Sequence, residues 1–99
     1  MKGWRRDPEH AEVRVLRRRV RLDDARVLDV GCGDGRLTRR VAGAARTVVG
    51  IDPNGAALDR ARALTPRRLS RKIEYRLGTA EHPGISRRRF DVAIFSGSL

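Results

Sequence analysis

The sequence predicts an α/β fold: a parallel sheet with helices on its flanks. Three observations carry this expectation. Four short apolar runs, at 26–30, 47–51, 73–77 and 91–95, are separated by stretches with helical spacing or by turn residues. A tight glycine cluster, Gly31-Cys32-Gly33-Asp34-Gly35, joins the first run to the first helical stretch after it. The length of 99 residues allows one domain with a modest core. Strands that alternate with helices imply parallel pairing and right-handed crossovers.

The elements follow in order. Asp7 suits an N-cap, Pro8 a first helical position and Glu9 the positive helix end. Val13, Leu16 and Val20 recur at helical spacing, with Arg14, Arg17, Arg18 and Arg21 on the other side. This predicts an amphipathic helix over 8–20, within an N-terminal region 1–25 set before the main domain 26–99. Trp4 either packs on this domain or anchors a partner. Val27, Leu28 and Val30 then make the first sheet strand. Leu37 and Val41 give a helix that Gly43 stops. The run at 47–51 is a second strand, ending at Asp52-Pro53. Ala57, Leu58, Ala61 and Leu64 form a second helix, closed by Pro66. Ile73, Tyr75 and Leu77 alternate as a third strand, and 91–95 is the fourth. The connection at 78–90 is short and holds Gly78, Pro83 and Gly84, so it has room for one helical turn.

Composition narrows the function classes. Lys and Arg number 23 against 12 Asp and Glu, a net charge of +11. All but Lys2 and Lys72 of the basic residues are Arg. Two readings stand: a compositional bias carried on solvated faces, or a surface for an anionic partner such as nucleic acid. One cysteine excludes a disulfide framework, and two histidines make a structural zinc cluster unexpected. No apolar run approaches the ~18 residues of a membrane span, and no signal-peptide apolar region is visible. A small soluble cytoplasmic domain is expected.

The chemistry is expected at the first strand–helix junction. In an open parallel sheet, ligands bind beyond the carboxyl ends of the strands, where strand order reverses. Gly31, Gly33 and Gly35 let a ligand approach the backbone without meeting a Cβ. Their spacing is G-x-G-x-G; the dinucleotide fingerprint needs its third glycine one place later, where Arg36 stands. Asp52 lies 17 residues after Gly35, at the tip of the second strand. A carboxylate there is placed to accept both hydroxyls of a ribose. It also suits an N-cap with Pro53 at the first helical position, and the roles can coexist.

These motifs resemble the class I S-adenosylmethionine-dependent methyltransferase family. The resemblance covers roughly residues 26–99. VLDVGCGDG at 27–35 is similar to its first cofactor motif and VVGIDPN at 48–54 to its second. IEYRLGTAEHP at 73–83 is similar to the third region and FDVAIFSGSL at 90–99 to the fourth. The likeness is greatest to the broad group acting on small molecules and lipid-like quinones. It implies a Rossmann-like sheet with strand order 3-2-1-4 and S-adenosyl-L-methionine as cofactor. Asp29 and the loop Gly31, Cys32, Gly33, Asp34 and Gly35 would hold the methionine end, and Asp52 with Pro53 the ribose. An acidic residue often follows the glycine of the third region and meets the adenine; this chain has Thr79 there, so the contact passes to the Ala80 backbone or to Glu81. Glu81 reads equally as a solvated loop carboxylate. Ser96 falls where the family lines the methyl-transfer site.

The resemblance also accounts for the thin catalytic inventory, which leaves the catalytic residues unassigned. A sulfonium methyl group is already electrophilic, so positioning donor and acceptor matters most. The expected acceptor is a small or lipid-like molecule. The fourth region lacks the Asn-Pro-Pro-Tyr type of sequence of the nucleic-acid amino-methylating branches, which weighs against base methylation. Cys32, His10 and His82 read as a small loop residue and two surface residues, and Arg87-Arg88-Arg89 as a solvated run.

The family sheet has seven strands, and four are present here. The expectation is the cofactor-binding half of a methyltransferase: a truncated gene product, a shortened chain, or a subunit completed by another chain. The fourth strand would then be an exposed edge open to pairing. Two competing readings are a non-catalytic basic module for nucleic acid or a partner chain, and a nicotinamide-dependent oxidoreductase, which the glycine spacing disfavours.

Overall fold

The structure, a computed structural model, describes residues 4–6, 12–14 and 22–96. Its main body is a four-stranded sheet built from β3 (Arg26–Val30), β4 (Thr47–Asp52), β5 (Ile73–Leu77) and β6 (Val92–Phe95). The order is β5-β4-β3-β6, with every pair parallel. Numbered within the main domain, that is the expected 3-2-1-4 of a Rossmann-like sheet. Before it, β1 (Trp4–Arg6) pairs antiparallel with β2 (Glu12–Arg14).

This pair corrects the N-terminal expectation. Residues 12–14 are a strand in register with 4–6, Trp4 facing Arg14 and Arg6 facing Glu12. The rest of the helix expected over 8–20, including His10, lies outside the described residues. Glu12-Val13-Arg14 also satisfies the alternating pattern of a strand, with a β-branched residue at its centre. Three apolar residues at helical spacing are too few to separate the two periods.

Helices α1 (Arg36–Ala42) and α2 (Gly55–Leu64) cover one face of the sheet. Val41 and Ala42 of α1 cluster with Val27, Val48, Val92 and Ile94 of the strands. Leu58 and Ala61 of α2 cluster with Cys32 and Tyr75, with Ile73 joining the two groups. The other face buries Leu28, Val49 and Ile51, covered by Ile85 and Phe90 of the connection that crosses from β5 to β6. That crossing carries the chain to the far side of β3, so strand order reverses at β3. Val27, Val48, Ile51, Leu58 and Ile94 are under 2% exposed; burying each contributes about 1.5–3 kcal/mol.

Local signals were mostly legible. Gly43 caps α1 as expected. The start of α2 is shifted: Asn54, not Asp52, is its N-cap, accepting from the Ala57 amide at 3.1 Å. Pro53 therefore precedes the helix instead of opening it. The connection at 78–90 holds one short 3-10 turn, Arg87–Arg89. Among the described residues no helix is long and apolar enough to cross a membrane.

Candidate functional site

The parallel register brings the carboxyl ends of all four strands to one rim. Val30 pairs with Ile51 and with Phe95, and Asp52 pairs with Leu77. The loop leaving β3 folds over the end of β4: the amides of Gly31 and Cys32 both donate to the Ile51 carbonyl, at 2.9 and 3.0 Å. Gly31, Gly33 and Gly35 have φ of +76°, +56° and +83°. These left-handed conformations cost a side-chain-bearing residue roughly 1–2 kcal/mol each, which is why glycines punctuate the turn.

Asp52 clamps this loop. Its Oδ2 accepts the Gly33 amide at 2.9 Å and its Oδ1 the Asn54 amide at 2.8 Å. A carboxylate offers about four acceptor positions, so two remain. The partly buried side chain stands at the tip of β4. A Cβ added at Gly33 would meet nothing within 4 Å. The backbone there borders an open space that a side chain would fill.

Gly35 differs. A Cβ there would come within 2.6 Å of the Tyr75 hydroxyl and 3.1 Å of Ala61 Cβ. Tyr75 is buried and its hydroxyl shares a 2.9 Å hydrogen bond with Thr65 Oγ1. The floor of the loop is thus a tyrosine from β5 tied to the end of α2. Cys32 is buried beside it and faces Gly50, where a Cβ would stand 2.9 Å from the sulfur. Burial, followed by the charges of Asp29 and Asp52, pushes the Cys32 thiol up to about 12. It stays protonated near neutral pH and acts as packing.

Asp29 lies beneath the loop, fully buried. Thr38 of α1 donates to its Oδ2 at 2.6 Å and Ser96, just past β6, donates to its Oδ1 at 2.5 Å. The Ser96 hydroxyl also lies 3.3 Å from the Gly31 carbonyl. Burial raises the Asp29 carboxyl to about 6, against the lowering effect of the two hydroxyls. This carboxylate faces the protein's own hydroxyls and supports the loop from below.

The remaining candidates sit around the rim. Asp34 is exposed; its Oδ1 accepts the Arg36 amide at 3.3 Å and its carbonyl accepts Arg39 Nη1 at 2.7 Å. Pro53 is exposed beside Asp52. Gly78 docks the third loop by donating to the Asp52 carbonyl at 3.2 Å. There Thr79 closes a turn with His82, through an amide-to-carbonyl bond and an amide-to-Oγ1 bond, both 3.0 Å. Ala80 is partly buried in that turn, and Glu81 and His82 are exposed. Residues 29–35, 52–53, 79–81 and 96 therefore share one end of the sheet. Sequence reasoning missed Thr38, Gly50, Thr65 and Tyr75, which shape the site from behind. Gly50 carried a signal, since glycine inside a strand marks a close approach.

The comparisons agree with this geometry. A family model described as "Methyltransferase domain" matches residues 27–99, and the chain belongs to that family. Among its relatives are two enzymes named "Ubiquinone biosynthesis O-methyltransferase". The one from Agrobacterium fabrum is 38% identical over 73 residues, covering 74% of this chain and 29% of that enzyme. The one from Thiobacillus denitrificans is 42% identical over 79 residues, covering 75% and 32%. The crystal structure of an S-adenosylmethionine-dependent methyltransferase from Mesorhizobium loti is 31% identical, with a TM-score of 0.54, covering 61% of this chain and 27% of that one. The chain thus spans about three tenths of the length of the curated relatives it matches.

Proposed function

We propose that this chain is the cofactor-binding portion of an S-adenosyl-L-methionine-dependent methyltransferase whose acceptor is a small, lipid-like molecule. The observation that carries the reading is the Asp52 clamp on the Gly33 amide, beside open space above a left-handed glycine backbone. The open space suits close approach of a ligand to the loop, and the two spare acceptor positions of Asp52 suit a pair of ribose hydroxyls. When bound, the cofactor supplies a methyl group already activated by a sulfonium sulfur.

The chain's own residues bind and orient. Gly31, Cys32, Gly33, Asp34 and Gly35 present backbone to the methionine end, with Asp29 fixing them from below. Asp52 and Pro53 take the ribose. Thr79, Ala80 and Glu81 border the adenine, and Ser96 lies toward the transfer side of the rim. The names of the relatives support a small quinone-like acceptor, and the cytoplasmic setting that belongs to the same proposal suits a free buried thiol. A further strand pairing along β6, the last in the sheet order, belongs to the same proposal.

Calorimetric titration with S-adenosylhomocysteine tests the reading. Saturable binding is expected, weakened about tenfold or more by Asp52→Ala through loss of charge-assisted hydrogen bonds. No binding by a chain with a cooperative unfolding transition would overturn the proposal. Unchanged affinity in Asp52→Ala would remove the ribose assignment.

A further inference from the structure

The opposite end of the sheet carries a cavity of about 190 Å³. It opens where the strands begin, roughly 15 Å (one strand length) from the glycine loop. Four cations line it from three segments: Arg26 at the start of β3, Arg71 and Lys72 before β5, and Arg89 before β6. Arg26 is held by Asp91, through Nε at 3.1 Å and Nη2 at 2.9 Å. Among the described residues no carboxylate forms an ion pair with Arg71, Lys72 or Arg89. Glu74, also in the lining, lies 3.6 Å from Arg76. Arg71, Lys72 and Arg89 thus border one concavity on the sheet face opposite the helices, alongside Thr47, Val49 and Phe90.

Cations from separate segments that converge on one cavity repel one another. An anion between them removes that cost, and it benefits most if it carries more than one charge. Guanidinium forks match the oxygens of a phosphoryl group in pairs. Val49 and Phe90 beside it suit a short organic body attached to that group. A long phosphodiester fits less well, since a polyanion needs a continuous basic track, and Glu74 stands at this opening with Asp91 against Arg26. We propose that this cavity is a binding site for a small phosphomonoester, separate from the rim at the carboxyl ends and independent of the cofactor reading.

The test is an amide chemical-shift titration of the chain with glycerol 3-phosphate, with inorganic phosphate as the minimal probe. Saturable shifts are expected at Thr47, Arg71 to Glu74 and Arg89, with the residues 31–35 unmoved. Arg71→Gln/Lys72→Gln is expected to weaken binding about tenfold or more, through loss of two charge-assisted contacts. Arg67→Gln/Arg68→Gln, on the neighbouring exposed 3-10 turn, is expected to leave affinity within about twofold, as a surface control. Absence of saturable shifts, or equal weakening in both double variants, would overturn the assignment. So would tighter binding of a ten-nucleotide single strand or of phosphatidylglycerol vesicles, which would make the face a polyanion or membrane surface.

Discussion

Gly33 and Gly35 hold similar left-handed backbones, at φ +56° and +83°, yet face opposite surroundings. Gly33 borders open space and Gly35 sits on the Tyr75 hydroxyl. Gly33→Ala is therefore expected to cost about 1–2 kcal/mol of stability, the left-handed penalty alone, while abolishing detectable S-adenosylhomocysteine binding. Gly35→Ala adds an overpacking cost and is expected to lose about 2–5 kcal/mol in total. Urea unfolding of the two variants checks the difference. The G-x-G-x-G spacing and Asp52 were legible in the sequence because they are local. Tyr75, forty residues beyond Gly35, was legible only as an alternating strand residue. Its place under the loop depends on the β4–β5 register, which local pattern does not contain.

Between elements, Asp29 ties β3 to α1 through Thr38 and to the end of β6 through Ser96. Thr38→Val keeps the shape and removes one donor to a buried carboxylate, at an expected cost of about 1–3 kcal/mol. Asp29 titrates in the folded chain near 6, above its ordinary 3.8. The folded state therefore holds this proton more tightly than the unfolded one. The resulting stabilisation is full below about pH 4 and is lost as pH rises through 6. Relative to Asp29→Asn, the parent chain is expected to lose roughly 2 kcal/mol between pH 4 and 7, read by urea unfolding at each pH. The motif VLDVGCGDG drew attention to Asp29, but its burial and its two hydroxyl partners arise from the packing of α1 and β6 beside β3. The strand at 12–14 escaped a pattern reading for a related reason: a three-residue strand is stabilised by its partner at 4–6 more than by its own periodicity.

Over the whole molecule, the alternation of strands and helices made the parallel sheet legible, whereas its order was legible only through the family resemblance of the four motifs. The charge of +11 was less informative. Much of it sits on exposed arginines, such as Arg40, Arg60 and Arg68, spread over the surface. The cavity at the amino ends of the strands is the exception, and no local motif announced it. Ligand binding at the carboxyl-end rim is linked to global stability. At S-adenosylhomocysteine concentrations about 100 times its dissociation constant, stabilisation is expected to be about 2.7 kcal/mol. For a domain of this size that raises the melting temperature by about 10–20 °C, and Asp52→Ala is expected to remove most of the shift. Calorimetric melting with and without the ligand measures both.

The most direct test of the account is an amide chemical-shift titration of the chain with S-adenosylhomocysteine. The largest saturable shifts are predicted at Gly31 to Gly35, at Asp52 and Asn54, and at Thr79 and Ala80, with Arg71 to Glu74 unmoved. Saturable shifts confined to the amino ends of the strands, or none at all in a chain with a dispersed spectrum, would contradict a cofactor cradle built from the glycine loop and Asp52.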